Sequence, residues 1–259
     1  MFGFGFDRML DKSGDSYYKS LCSFYLDGIN KYLSRADVAN LDAFLSGPTP
    51  LFTIRTIFKR NSLGTTQGLF SKRVSGARQI MFRLETSNKL RLFFSGDGSV
   101  EWVIETTNAL TSTTNWYDIS VTFDYTQTGI NIANVFINGV KETMVYISGT
   151  YTTNLFDSNN PSLWGQQGGN TFFLNAYINQ VSIMNYVPAD ILFLAAYNSG
   201  LPIISTEIFN ATNVRLEWIF DNDVWDGVKF TLTDSSGVGN DGQTINILPV
   251  DKDCNENPY

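Results

Sequence analysis

The sequence predicts an all-β fold, a two-layer sandwich with one short helix towards its C-terminal end, and three observations predict it. Runs of alternating apolar and polar residues recur about every ten residues from position 23 onward, each bounded by Gly, Ser, Asn or Asp. The composition is 43% hydrophobic and 14% aromatic against 17% charged, which suits half-buried pleated strands rather than a disordered or highly charged helical chain. VFINGV (135–140) places Asn138-Gly139 between two alternating runs, and both residues tolerate the positive φ of a two-residue hairpin turn.

A chain of 259 residues can bury one full sandwich core, so a single main domain over 21–200 is expected, flanked by an arm (1–20) and a tail (201–259). The arm pairs Phe/Gly alternation with Tyr17 and Tyr18 and has no amphipathic period. SFYLDG and INKYLS read as two short strands across Asp27-Gly28. Residues 35–44 suggest a helical turn with Leu41, Phe44 and Leu45 on one side, ended by Gly47, Pro48 and Pro50.

LFTIRTIFKR (51–60), GLFSKR, ARQIMFRLE, KLRLFFSG and SVEWVIET follow as strands in close succession. After a polar stretch come WYDISVTFDY, INIANVFIN and, past the Asn-Gly turn, VKETMVYIS. NPSLWGQQ and TFFLNAYINQVSIMNYV close the run. A helix is expected from Pro188, with Ile191, Leu192, Leu194 and Ala195 as its apolar stripe and Asn198–Gly200 as its stop. The remainder reads as one more strand and an irregular tail rich in Gly, Asp, Ser and Asn.

Several function classes are disfavoured. Histidine is absent, which rules out Ser-His-Asp and Cys-His nucleophile systems and any His-containing zinc site. A net charge of -7 with no Lys/Arg run repels a phosphate backbone, so nucleic acid is not an expected partner. Asp7, Arg8, Asp11 and Lys12 interrupt the N-terminus before an apolar signal core could form, and no apolar stretch reaches the length of a membrane-spanning helix. Neither export by the general route nor membrane insertion is expected. Cys22 and Cys254 lie near opposite ends and form no CxxC pair; they are read as free thiols, with a bridge from tail to first strand as the alternative.

Four segments together resemble the laminin-G-like, concanavalin A-like jelly roll. FYLDGINKYLS resembles the opening FDGxNDYV pair of that family, and LFTIRTIFKR with GLFSKR its FTIxxWVK…IFSK pair. NWYDISVTFDY…NVFINGVKE resembles its central WYHVAVTYDG…VYVNGV hairpin. SLWGQQGGNTFFLNAYINQVSIMNYVPADILFLAAYNSG resembles its closing segment. Asp118 stands where the family usually has His or Arg, and Asn179-Gln180 where it usually has Asp-Glu. A fifth segment, LEWIFDNDVWDGVKFTLTDSSGVGNDG, resembles one that often opens such a module, yet here too few residues follow it to build a second one. The resemblance implies a concanavalin A-like β-sandwich jelly roll with a short C-terminal helix and terminal extensions.

Glycosidases share that fold, so the carboxylates matter. EWVIE puts Glu101 and Glu105 on one strand face with Val103 between them, about 13 Å apart at the strand rise, which is too far for either glycosidase geometry. They read as solvated residues beside inward Trp102 and Ile104, and no enzyme activity is expected. Calcium is a possible cofactor through Asp97, Asp124, Asp157 and Asn159, whose oxygens are the donors such an ion needs, although Asp and Asn are also ordinary turn residues. A glycan could be held by Tyr151, Trp164, Gln166, Gln167 and Asn170, aromatic faces beside amides around WGQQGGN. Trp102, Trp116, Phe123 and Phe136 are assigned to the core. Phe4, Phe6, Tyr17 and Trp225 are candidates for an interface with another subunit.

The tail after the domain resembles those that follow such domains in bacteriophage virion proteins, and this resemblance implies a non-enzymatic structural protein of a bacteriophage virion (capsid-decoration, head-fibre or tail component). It would be assembled in the host cytoplasm with other virion proteins, as a homo-oligomer for which a trimer is favoured. The alternative is a lectin or adhesin module that recognises host cell-surface glycans.

Overall fold

The computed structural model describes residues 9–10, 16–17, 20–221, 223–256 and 258. Its strands in chain order are β1 (Met9–Leu10), β2 (Ser16–Tyr17), β3 (Ser23–Asp27), β4 (Tyr32–Arg35), β5 (Leu51–Arg60), β6 (Gln67–Val74), β7 (Ala77–Leu84), β8 (Lys89–Ser95), β9 (Glu101–Ala109) and β10 (Trp116–Asp124). They continue as β11 (Ala133–Ile137), β12 (Val140–Lys141), β13 (Met144–Ser148), β14 (Ser162–Trp164), β15 (Asn175–Met184), β16 (Val214–Ile219), β17 (Val224–Trp225), β18 (Phe230–Leu232), β19 (Gly242–Ile245) and β20 (Lys252–Asp253). Among the described residues the α-helices are short: α1 (Ala39–Leu45), α2 (Asp190–Tyr197) and α3 (Ser205–Ile208).

Two antiparallel sheets face each other. One runs β12-β11-β10-β5-β15-β3-β20, with β16 also paired to β15; the other runs β13-β9-β8-β7-β6-β14-β4-β19-β18-β17. The predicted alternation supplies their inner faces. Phe52, Ile54, Phe58, Val121 and Phe123 come from the eight-stranded sheet, and Phe70, Phe82, Leu92, Phe94 and Trp102 from the ten-stranded one. Phe123 joins the layers, stacking on Phe52 at 4.7 Å and meeting Phe94 edge-on at 5.5 Å. At the Asn-Gly hairpin both residues take positive φ, and the Asn138 side chain accepts the amide of Asp118. The run after that turn divides between the sheets: β12 pairs with β11, and β13 crosses to β9.

The segment after residue 200 is built into both sheets. β16 pairs with β15 and β20 with β3, while β19 pairs with β4 and continues into β18 and β17. The DSSGVGNDG stretch is ordered by its own side chains. Asp234 accepts the amides of Glu217, Ser236 and Asn240, and the Asn240 carbonyl accepts the Trp218 indole N–H.

The outer face of the eight-stranded sheet is covered by residues 188–213, where Phe136, Met184, Phe193, Ala196, Phe209 and Val214 form a second apolar cluster. Phe193 and Ala196 are the buried side of α2; Ile191 and Leu194 of the expected stripe are exposed. Under this cover Arg55 is fully buried and makes a two-bonded pair with Asp118, 2.9 and 2.7 Å long, while donating to the Ile203 carbonyl and the Ser205 hydroxyl. Glu217 beside it is also fully buried and accepts from Gln180, Ser205 and Thr206. Burial pushes the Glu217 carboxyl above its usual range, against the pull of these donors and of Arg55. Both departures from the family pattern thus belong to structural networks: Asp118 is the counter-ion of Arg55, and Asn179 donates to the Ser20 and Cys22 carbonyls.

Other expectations are corrected. Cys22 and Cys254 are not free thiols but form a disulfide, because β20 lies beside β3 and brings the two ends of the chain together. Trp116 is only partly buried and lies on the outward face of β10, its ring centre 5.9 Å from the Lys59 ammonium. Glu105 is buried rather than solvated and is held by Arg91 and Lys89. Trp225 packs within the chain, 5.1 Å from the Phe230 ring. Phe4 and Phe6 lie outside the described residues, as does the side chain of Tyr17, whose backbone pairs with Met9.

Candidate functional site

At one end of the sandwich the turn after β3, the β5–β6 connection, the β14–β15 loop and the end of β19 converge. The sequence builds this region from the β14–β15 loop, residues 165–174. Gly169 and Asn170 take positive φ, and Gln167 and Thr171 exchange backbone hydrogen bonds of 3.0 and 3.4 Å, closing a tight hairpin. The loop folds back onto the ten-stranded sheet, where the Gly168 amide donates to the Ser71 hydroxyl and the Phe172 carbonyl accepts the Gly68 amide. This docking needs glycine at both contact points. A Cβ on Gly168 would stand 1.6 Å from the Arg73 carbonyl oxygen, and one on Gly68 2.5 Å from the Gln166 backbone.

The ridge formed by residues 170–173 separates two clefts. The larger, about 430 Å³, is lined by Asp27, Ser62, Thr65, Gln67, Asn170 and Phe172, among others. The smaller, about 390 Å³, lies between Asn30, Tyr32, Asn170, Phe173 and Asn246. Phe172 has φ +53°, a conformation an aromatic residue rarely adopts, and the residue remains 41% exposed. Tyr32 and Phe173 have their ring centres 6.2 Å apart.

The polar walls are fixed by their own bonds. Gln67 donates to the hydroxyls of Ser62 and Thr65, and its carbonyl oxygen accepts the Asn175 amide. Burial works against ionisation of Asp27, but the amides of Ile29 and Asn30 and the Lys31 ammonium outweigh it and hold its carboxyl below the usual range. Asn246 donates to the Asn30 carbonyl. Rigid amides, hydroxyls and one carboxylate around exposed rings suit a ligand with an apolar face and many hydroxyls.

Of the predicted glycan residues, the structure brings only Asn170 into the lining of both clefts. Trp164 is fully buried, 4.9 Å from Phe70 and 5.0 Å from Trp218. Gln166 is buried, and Gln167 closes the loop through its backbone while its side chain lines neither cleft. Tyr151 lines neither cleft; it packs edge-on against Trp102. Phe172, Phe173, Thr65 and Gln67 were not singled out in the sequence. The readable signal was that Thr-Phe-Phe follows Gly-Gly-Asn, while β15 begins only at Asn175.

The proposed calcium ligands do not share a site. The amides of Ser99 and Val100 fold around Asp97 and hold its carboxyl far below the usual range; Asp124 bonds Thr126, and Asp157 accepts the Asn159 amide. Among the described residues no three His, Cys, Asp or Glu side chains converge to hold a metal ion. Glu101 and Glu105 each face arginine: Arg73 and Arg78 hold Glu101, and Arg91 holds Glu105.

Comparison with known proteins agrees with this architecture. Residues 32–190 match the family model described as the concanavalin A-like lectin/glucanases superfamily. Among solved structures, a candidate carbohydrate-binding protein from Bacteroides ovatus superposes with a TM-score of 0.61 at 14% identity, covering 89% of this chain; the chain spans 59% of that protein. The CBM40 of the Ruminococcus gnavus IT-sialidase, bound to α2,3 sialyllactose, superposes with a TM-score of 0.50 at 11% identity over 68% of this chain and 98% of that one. A search of the curated proteins finds no match.

Proposed function

The chain belongs to the concanavalin A-like lectin/glucanases superfamily, and from that premise we propose that it is a non-catalytic carbohydrate-binding module whose ligand lies in the two clefts beside the 170–173 ridge. The observation that carries this reading is Phe172, an exposed residue held at positive φ on the wall of the larger cleft beside Asn, Gln, Thr and Asp. Strain of that kind persists where surrounding contacts enforce it, and here they present an aromatic face to solvent. A pyranose has the matching chemistry, with C–H groups for the ring and hydroxyls for the amides. The likeness to a candidate carbohydrate-binding protein and to a glycan-bound module supports the reading at the level of fold.

Binding without turnover is part of the proposal. Glu101 and Glu105, the strand-spaced pair weighed as glycosidase carboxylates, face arginines rather than standing poised as acid and nucleophile. A glycan array, run with and without calcium, tests the reading. Retention of defined glycans that Phe172→Ala weakens is the expected result; uniform silence overturns it.

The Cys22–Cys254 disulfide supports a working environment outside a reducing cytosol. A domain displayed on a virion and a secreted or surface-held glycan binder both meet that condition. Mass spectrometry of purified particles separates them, since the virion reading requires the chain to be present.

A further inference from the structure

The outer face of the ten-stranded sheet, next to the ridge, carries chemistry that the clefts do not use. Met81, Phe93 and Val103 are cross-strand neighbours on β7, β8 and β9 and form a buried apolar row of their own. Arginines lie across it: Arg73 Nη1 is 3.9 Å from Met81 Sδ, and the Arg83 guanidinium sits 4.6 Å above the Phe93 ring. Carboxylates hold these cations from the side. Glu101 pairs with Arg73 and Arg78, Glu85 with Arg83 and Arg91, and Glu105 with Arg91 and Lys89. Five cations face three carboxylates, so this network has a surplus of two positive charges on a chain whose net charge is -7.

Phe172 connects this face to the larger cleft. Its ring lines the cleft and also stands 5.2 Å from the Arg83 guanidinium, on which Phe93 packs as well. Glu85 takes Nε and Nη2 of Arg83, and among the described residues Nη1 has no hydrogen-bond partner. A guanidinium stacked on aromatic rings is weakly hydrated and keeps a planar fork of donors suited to an oxyanion. A ligand chain leaving the cleft past Phe172 therefore arrives over Arg83.

We propose that the module takes an anionic glycan, with the sugar in the larger cleft followed by a residue whose carboxylate or sulfate is bound by Arg83. This rests on the glycan-binding reading above and adds the charge class of the ligand. A polyphosphate is the poorer fit, because three carboxylates are interleaved with the arginines and the rest of the surface is acidic.

Matched trisaccharides ending in a neutral hexose, a uronic acid or a sulfated hexose test it by titration calorimetry, with single-stranded DNA as a further arm. The acidic forms are expected to bind about tenfold tighter than the neutral form, as a charge-assisted hydrogen bond allows. Arg83→Gln should abolish that preference. Glu85→Gln, which removes the competing carboxylate, should enlarge it, the preference being taken in each variant as the ratio of acidic to neutral affinity. The better of the uronic and sulfated arms identifies the anion. Equal binding of all three trisaccharides, or an unchanged preference in both variants, overturns the inference and leaves the glycan module standing. DNA binding as tight as the acidic glycan also overturns it. Silence towards every sugar overturns the glycan reading itself.

Discussion

Asp118→Asn probes how the helical cover is held on the eight-stranded sheet. The substitution keeps the shape of the side chain and removes the charge that faces buried Arg55 through bonds of 2.9 and 2.7 Å. Breaking a buried ion pair by removing one partner costs about 3–5 kcal/mol, because the remaining charge stays desolvated. The lower end applies here, about 3 kcal/mol, because Glu217 remains within Coulombic reach of Arg55 and Asn can still accept one bond. At ~2.1 cal/mol/K per residue, 259 residues unfold with an entropy of about 0.5 kcal/mol/K, so the midpoint should fall by about 6 °C. Urea unfolding and a thermal scan measure both quantities. A cost below about 1 kcal/mol would refute the reasoning, since it falls outside what an uncompensated buried guanidinium permits.

Three other expectations address the rest of the chain. Cys22→Ser with Cys254→Ser opens a loop spanning 232 residues, and the chain-entropy estimate gives a loss of about 5.5 kcal/mol, read as a lowered urea midpoint that matches the reduced wild type. Burial beside Asp221 pushes the Asp223 carboxyl up to about 7, against the Thr233 amide and Lys252. The folded state therefore holds an extra proton between the ordinary carboxyl value and neutrality, so the stability this group supplies is complete at low pH and lost as pH rises towards and through 7; Asp223→Asn should melt above wild type at pH 8 and level with it near pH 4. Gly168→Ala drives a Cβ into the Arg73 carbonyl oxygen and should lift the 165–174 loop, abolishing glycan binding in calorimetry while circular dichroism keeps the sheet signal.

The sandwich was legible because one face of each strand is core. Phe52, Ile54 and Phe58 alternate with Thr53, Arg55 and Ile57, and inner-face burial follows that period. The same period misleads on the outer faces. By the period alone Arg55, Asp118 and Glu217 fall on the strand faces turned away from the core, yet they are buried by a cover whose residues lie as much as 150 positions away in sequence. A strand pattern records which side a residue occupies but not what later packs on that side. The disulfide stood in the sequence only as the alternative for a related reason, since the pairing of β20 with β3 is what brings Cys22 to Cys254. At the candidate site the Gly-Gly-Asn stretch lies in the loop that the two clefts flank, and Asn170 lines both. The aromatic choice failed because Trp164 and Phe172 are equally apolar by composition. Only backbone conformation, extended at one and left-handed at the other, sends the first into the core and the second outward.

Titration of wild type and Phe172→Ala with one glycan retained on an array tests the central claim most directly. The account predicts saturable binding that the substitution weakens about three- to tenfold, the contribution of one stacked ring, with the melting temperature unchanged. Equal affinity in the two proteins would contradict it, because the ligand would then bind somewhere other than beside the 170–173 ridge.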